Sequence, residues 1–248
     1  VVCLTPVIFG FITPVAILLW NVVKSADIEA FKAVVDVLQN SLFIAALGAG
    51  LIMGSAILVA SAAKFNGGKI IQVVGNLSAT GYAFPGTMLA IGVLVFLGFV
   101  DRGLNAVNWG FGNLHLSGTI LALLFAYLVR FQAVGYGSVT SGLTKIPPNL
   151  IACSRSLGMT SHSTMRRITI PLIRNSIIAG GVLAFVDIMK ELPMTLLLRP
   201  FDFETLATYS YQFAHDELMD QASLPALVIV VVGLIPVVFL NRLLRAYD

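Results

Sequence analysis

Asp187, Lys190 and Glu191 stand at spacings of i, i+3 and i+4, which on a helix brings all three to one face. They lie inside an apolar run. If a helix starts near Leu172, Asp187 sits about 22 Å along it at 1.5 Å per residue. Charge set that deep in apolar surroundings is expensive and faces a cavity or a partner. Two chemistries are open. Asp187 and Glu191 offer hard oxygen ligands of the kind that suit a hard cation, and one Lys against two acids leaves a net negative charge. Alternatively, Lys190 pairs with Asp187 or Glu191 and fastens helices together. Pro193 then removes a helical donor, so a kink or a helix end is expected there, with Met194–Leu198 lying in the apolar layer without crossing it.

No enzyme constellation accompanies this cluster. Gly67-Gly68-Lys69 lacks the upstream Gly and the Ser/Thr of a phosphate loop, because Ala63 and Ile70 occupy those positions. The chain is therefore not expected to bind ATP or another cofactor itself. His115, His162 and His215 fall in separate loops, without metal-ligand spacing. Cys3 and Cys153 are expected to lie far apart, one in the first span and one in a loop, so no disulfide framework is implied.

The elements that must position these residues are membrane helices. Apolar residues make up 58% of the chain and charged residues 11%, against roughly 25% charged in a soluble domain. The net charge of +3 is small and does not suggest nucleic acid. Runs long enough to cross about 30 Å of hydrocarbon, ~20 residues each, are expected near 3–23, 41–62, 80–100, 115–134, 173–197 and 223–241. Gly50 and Gly54 read as a small-xxx-small packing pair, and Arg130 as a side chain that snorkels to the cytoplasmic surface.

Charge sets the orientation. One set of loops carries Lys64, Lys69, Arg130, Lys145, Arg155, Arg166, Arg167, Arg174, Arg242 and Arg245, with only Asp248 against them. The other carries Lys24, Lys32, Arg102 and Arg199 together with most of the acids, among them Asp27, Glu29, Asp36, Asp101, Asp202, Glu204, Asp216, Glu217 and Asp220. The basic set is expected in the cytoplasm, with both chain ends. The acidic, aromatic stretch Asp202–Asp220 is expected as a solvated outward loop.

Within the basic set, Ile146–Pro171 reads IPPNLIACSRSLGMTSHSTMRRITIP. It resembles the cytoplasmic loop of ABC importer permeases, whose pattern is EAA, three residues, Gly, nine residues, Ile, one residue, Leu-Pro. Gly158 falls on the Gly, Ile168 on the Ile, Ile170 on the Leu and Pro171 on the Pro. Ala152 stands where the family has Glu, and Cys153 and Ser154 stand at the two alanines, followed by Arg155. The resemblance implies that this loop, residues 146–171, couples the chain to an ATPase subunit.

Three further stretches sharpen the resemblance. They are Tyr82–Ala90 (YAFPGTMLA), Leu124–Phe131 (LFAYLVRF) and Lys190–Pro200 (KELPMTLLLRP). Together with the loop they look like the ferric-iron importer permeases, specifically the second half of such a protein. The resemblance implies an all-α polytopic membrane protein of about six transmembrane helices with the type I ABC importer permease fold, residues 1–248 forming one permease domain. The absence of an initiator Met suits a segment of a longer fused permease. Implied partners are cytoplasmic ABC ATPase subunits, which bind the ATP, a periplasmic or lipid-anchored substrate-binding protein, a second permease half and membrane lipid. The location implied is the bacterial inner membrane. Asp187 and Glu191 would then touch a ferric ion in transit. A thiamine or other small-solute permease is the near alternative. An ion-coupled secondary transporter that uses Asp187 and Glu191 without an ATPase is the distant one.

Overall fold

The computed structural model describes residues 4–25, 28–106 and 115–245; Cys3, Asp27 and Asp248 lie outside them. Every regular element among the described residues is helical. Helix α1 is Thr5–Lys24 and α2 is Ile28–Phe65, with one further helical residue at its end. Next come α3 (Lys69–Ser78) and α4 (Gly86–Ala106), then α5 (Ile120–Thr144) and α6 (Pro148–Ser156). They are followed by α7 (Ser161–Leu172), α8 (Arg174–Met189), α9 (Pro193–Leu198), α10 (Leu206–His215) and α11 (Met219–Arg245).

Five of these helices are long and apolar enough to cross a membrane: α1, α2, α4, α5 and α11. A sixth crossing exists if α7 and α8, bent by 72° at their junction, count as one span. Five of the six expected spans thus overlap single helices, and the fifth is built from pieces. Helix α5 runs well past the expected end of its span. Arg130 is followed by another 14 residues of helix, from Phe131 to Thr144, or about 21 Å. Arg130 therefore lies in mid-helix and does not snorkel to the surface. The stretch that lengthens α5, Gly135–Thr144, is rich in Gly, Ser and Thr, so it looks weakly apolar while being well suited to close helix packing.

That packing forms the core. Helices α2, α5 and α8 meet along small residues, where Ala45, Ala56 and Ala184 are fully buried. A Cβ on Gly135 would lie 2.8 Å from Ile52 Cγ2 and 3.2 Å from Ala56 Cβ, and one on Gly180 would lie 2.7 Å from Ser138 Cβ. The absent side chains let the backbones approach. Gly50 and Gly54 do not serve this purpose within the chain, since a Cβ on either meets nothing within 4 Å.

The two ends of the bundle differ in charge. At one end Lys64 Nζ donates to Leu143 O at 3.2 Å, and Ser61 Oγ lies 3.6 Å from Met165 Sδ. This end gathers Lys64, Lys145 and the Ile146–Pro171 loop. Gly67, at φ +57, and Gly68 make the turn into α3 there, which gives Gly67-Gly68-Lys69 a structural role. At the other end Asn21 Nδ2 donates to Ser223 Oγ at 3.1 Å, and a cleft lined by Glu29, Lys32 and Asp220 opens beside Tyr209 and Phe213. The stretch expected as a solvated loop is partly helix. Thr205 and Thr208 form a reciprocal capping box that starts α10. Leu206 is fully buried and its N–H donates to Ser41 Oγ of α2 at 2.7 Å.

Candidate functional site

Two breaks between consecutive helices meet beside α5. The first break lies between α3 and α4. Gly81–Ala83 forms a 3-10 turn, Phe84 is extended as residues before proline tend to be, and Pro85 precedes the first residue of α4, Gly86. The second lies between α8 and α9. Lys190 closes α8, and Pro193 opens α9, where its missing N–H costs nothing.

Both breaks press on the same point of α5. A Cβ on Gly81 would overlap Val129 O, and one on Gly86 would overlap Arg130 Nη1 and lie 2.9 Å from Glu191 Oε1. Glu191 is buried between them at 7% exposure. Its Oε1 lies 3.3 Å from Arg130 Nη1 and accepts from Met194 N at 3.1 Å, at the first turn of α9. Thr195 Oγ1 donates to Glu191 O at 2.7 Å and shares a hydrogen bond with Tyr127 OH. Arg130 Nε is buried and has no hydrogen-bond partner among the described residues.

The i, i+3, i+4 reading holds for only two of the three charges. Lys190 Nζ pairs with Asp187 Oδ1 at 2.9 Å. Glu191 does not share their helical face, because α8 ends at Met189. It pairs instead with Arg130, 61 residues earlier. Four charges thus form two ion pairs of zero net charge, where the sequence suggested a negative surplus. Among the described residues there is no group of three or more His, Cys, Asp or Glu able to hold a metal ion. Removing one partner of a buried pair costs roughly 3–5 kcal/mol, so Arg130 and Glu191 depend on each other.

A groove of about 440 Å³ lies between α5 and α8. Its lining includes Val134, Gly137 and Ser141, which follow Arg130 at i+4, i+7 and i+11 on α5. Leu183, Ala179 and Ser176 precede Asp187 at i−4, i−8 and i−11 on α8. Arg130 and Asp187 thus stand one turn beyond the lining of this groove, which carries the hydroxyl groups of Ser138, Ser141 and Ser176.

The Ile146–Pro171 loop is mostly helical and sits at the basic end. Helix α6 presents Ala152, Cys153 and Arg155 outward, while Ser154 is buried. Ser154 Oγ lies 3.0 Å from Thr164 Oγ1, a bond that ties α6 to α7. Gly158 takes φ +79 in open space, so the turn needs its backbone freedom and not its small size. Ile168 and Ile170 are half-buried and Pro171 is exposed. Ile173, at the bend into α8, is buried with Leu143 and Ile146. The loop is thus joined through this bend to the helix that carries Asp187. Leu157, 82% exposed beside Gly158, was missed by the sequence reading. An apolar residue just ahead of the turn glycine was the available signal. Arg130 and Gly86 were missed as site residues because their partners are remote in sequence.

The fold and this loop define the class. The chain belongs to the family described as binding-protein-dependent transport system inner membrane component, which matches residues 46–247. Among its relatives is the Fe(3+)-transport system permease protein FbpB 2 of Haemophilus influenzae, 26% identical over 97% of this chain and 47% of the relative. Another, from Salmonella typhimurium, bears the name of a 2-aminoethylphosphonate transport system permease protein, PhnV; it is 24% identical over 66% of this chain and 57% of its own length. The chain spans about half the length of the curated relatives it matches. Similar solved structures include a bacterial ABC transporter involved in the import of the acidic polysaccharide alginate. Its TM-score is 0.77 at 18% identity, covering 97% of this chain and 91% of that one. The MetNI methionine ABC transporter in an inward-facing conformation has a TM-score of 0.63 at 14% identity, covering 90% and 99%. The all-α permease fold is therefore that of ABC importers, and the chain is a multi-pass inner-membrane component.

Proposed function

We propose that the chain is one permease half of an ATP-driven importer and that its cargo is ferric iron. The match to the Fe(3+) permease along 97% of the chain carries this reading. Cytoplasmic ATPase subunits bind and hydrolyse the ATP, and the chain itself binds no nucleotide. The 146–171 loop seats α6 and the exposed Leu157 in an ATPase cleft. Movement there passes through the Ser154–Thr164 contact and the bend at Ile173 into α8. A periplasmic or lipid-anchored binding protein delivers the cargo at the acidic end, and a second permease half, fused or separate, supplies the other wall. Both chain ends face the cytoplasm, consistent with Lys64, Lys145 and the loop sharing one end of the bundle.

Asp187 and Glu191 make transient contact with the ion. Each carboxylate already holds a cationic side chain, so capture requires Lys190 and Arg130 to release them. Carboxylates suit a hard trivalent cation, and a pair without further ligands would not hold it permanently. The test is reconstitution with the ATPase and binding protein in vesicles, with ATP-dependent uptake of ferric iron, 2-aminoethylphosphonate and thiamine compared. Iron uptake that falls in Asp187→Asn, while protein level and ATPase association persist, is the expected result; Glu191→Gln also breaks the buried pair with Arg130, so its uptake is compared at equal amounts of folded chain. Uptake of either other solute in place of iron would overturn the iron assignment.

A further inference from the structure

We infer that Arg130 is a positioning residue for transport: with Glu191 and Gly86 it clamps the starts of α4 and α9 to α5 across the path, and the clamp opens when cargo passes. This rests on the chain being a transport subunit but not on which cargo it carries.

Several independent features converge on the clamp. The break before α4 and the break before α9 have no sequence relation, yet both close on Val129 and Arg130. Gly86 has no room for a Cβ because the guanidinium occupies that space. The Glu191 carboxylate grips both sides, holding Arg130 of α5 and the Met194 N–H of α9 through one oxygen. Thr195 repeats the connection one turn away by bonding Tyr127. The lining of the groove between α5 and α8 stops at Val134 and Leu183, one turn short of Arg130 and Asp187, so releasing the clamp would lengthen the trough toward the acidic end.

Two observations argue against a merely fastening role. A buried ion pair is weak evidence of stabilisation, since desolvation opposes the attraction. Arg130 also leaves a buried Nε donor unused, an arrangement that a rearranged guanidinium could relieve. The clamp sits at the far end of α8 from the bend at Ile173. Tilting of α8 driven from the loop would therefore pull Glu191 against Arg130.

The test uses Gly137→Cys as reporter, in the complete transporter with Cys3 and Cys153 changed to Ser. Gly137 lines the groove, and a Cβ there meets nothing within 4 Å. An impermeant thiol reagent is added from the acidic side of sealed vesicles without ATP. Slow labelling is expected in the reporter background, rising at least tenfold with Glu191→Gln and with Gly86→Ala, which keeps both charges. Combining Arg130→Glu with Glu191→Arg should return labelling toward the slow rate. Parent-like labelling in Gly86→Ala and Glu191→Gln proteins that accumulate normally would overturn the clamp. If Glu191→Gln fails to accumulate, Gly86→Ala decides between the same two outcomes. Labelling needs no cargo, so failure of the clamp and failure of the iron assignment are separate results.

Discussion

Single residues at the basic end carry the coupling argument. Gly158 sits at φ +79 in open space. A left-handed conformation costs other residues about 1–2 kcal/mol, and a β-branched residue is the least suited to it. Gly158→Val should therefore leave the protein in the membrane at near-normal level while ATP hydrolysis ceases to drive uptake. Parallel uptake and hydrolysis assays read this directly, and normal uptake would remove the turn from the mechanism. Gly158 was legible because its spacing to Ile168, Ile170 and Pro171 is local. Arg130 was not legible. Its position near the expected end of a span suggested snorkelling, whereas its partner Glu191 is 61 residues away and is fixed only by how the breaks pack.

At the scale of elements, the spans were readable where apolar runs are continuous and less so where they are broken. Thr5–Lys24 and Met219–Arg242 are apolar along most of their length and lie where the sequence places them. The length of α5 was underestimated because Gly135–Thr144 achieves its burial with small residues, which contribute little to hydropathy. The break before α9 was foreseen from Pro193. The helix α10 was not, since its Thr205–Thr208 capping box hides in an acidic, aromatic stretch. Packing of α5 on α2 and α8 yields a contrast. Gly180→Leu places side-chain atoms where Ser138 already stands and should cost about 1–3 kcal/mol as overpacking does. Gly50→Ala meets nothing and should be neutral or stabilise the helix by roughly 0.5–1 kcal/mol. Thermal melts of the detergent-solubilised protein should lower the midpoint for the first and hold or raise it for the second. Equal loss in both would refute the packing assignment.

For the whole molecule, the separation of basic and acidic ends predicts orientation. In a background with Cys3 and Cys153 changed to Ser, an impermeant thiol reagent applied to intact cells should label Asp216→Cys and spare Ser161→Cys. Both positions are exposed, so access and not burial decides the outcome. The reverse pattern would place the 146–171 loop outside and remove it from any cytoplasmic ATPase. The central claim, that this loop docks the chain onto an ATPase, is tested most directly at Leu157. That side chain is 82% exposed, so Leu157→Asp should change stability by no more than about 0.5 kcal/mol. The measurement is retention of the ATPase subunit by the affinity-tagged chain, from membranes containing the complete transporter. Stable retention by the parent and at least tenfold weaker retention by Leu157→Asp, with equal amounts of folded chain, is the predicted result. Equal retention by both, or none by the parent, would contradict it.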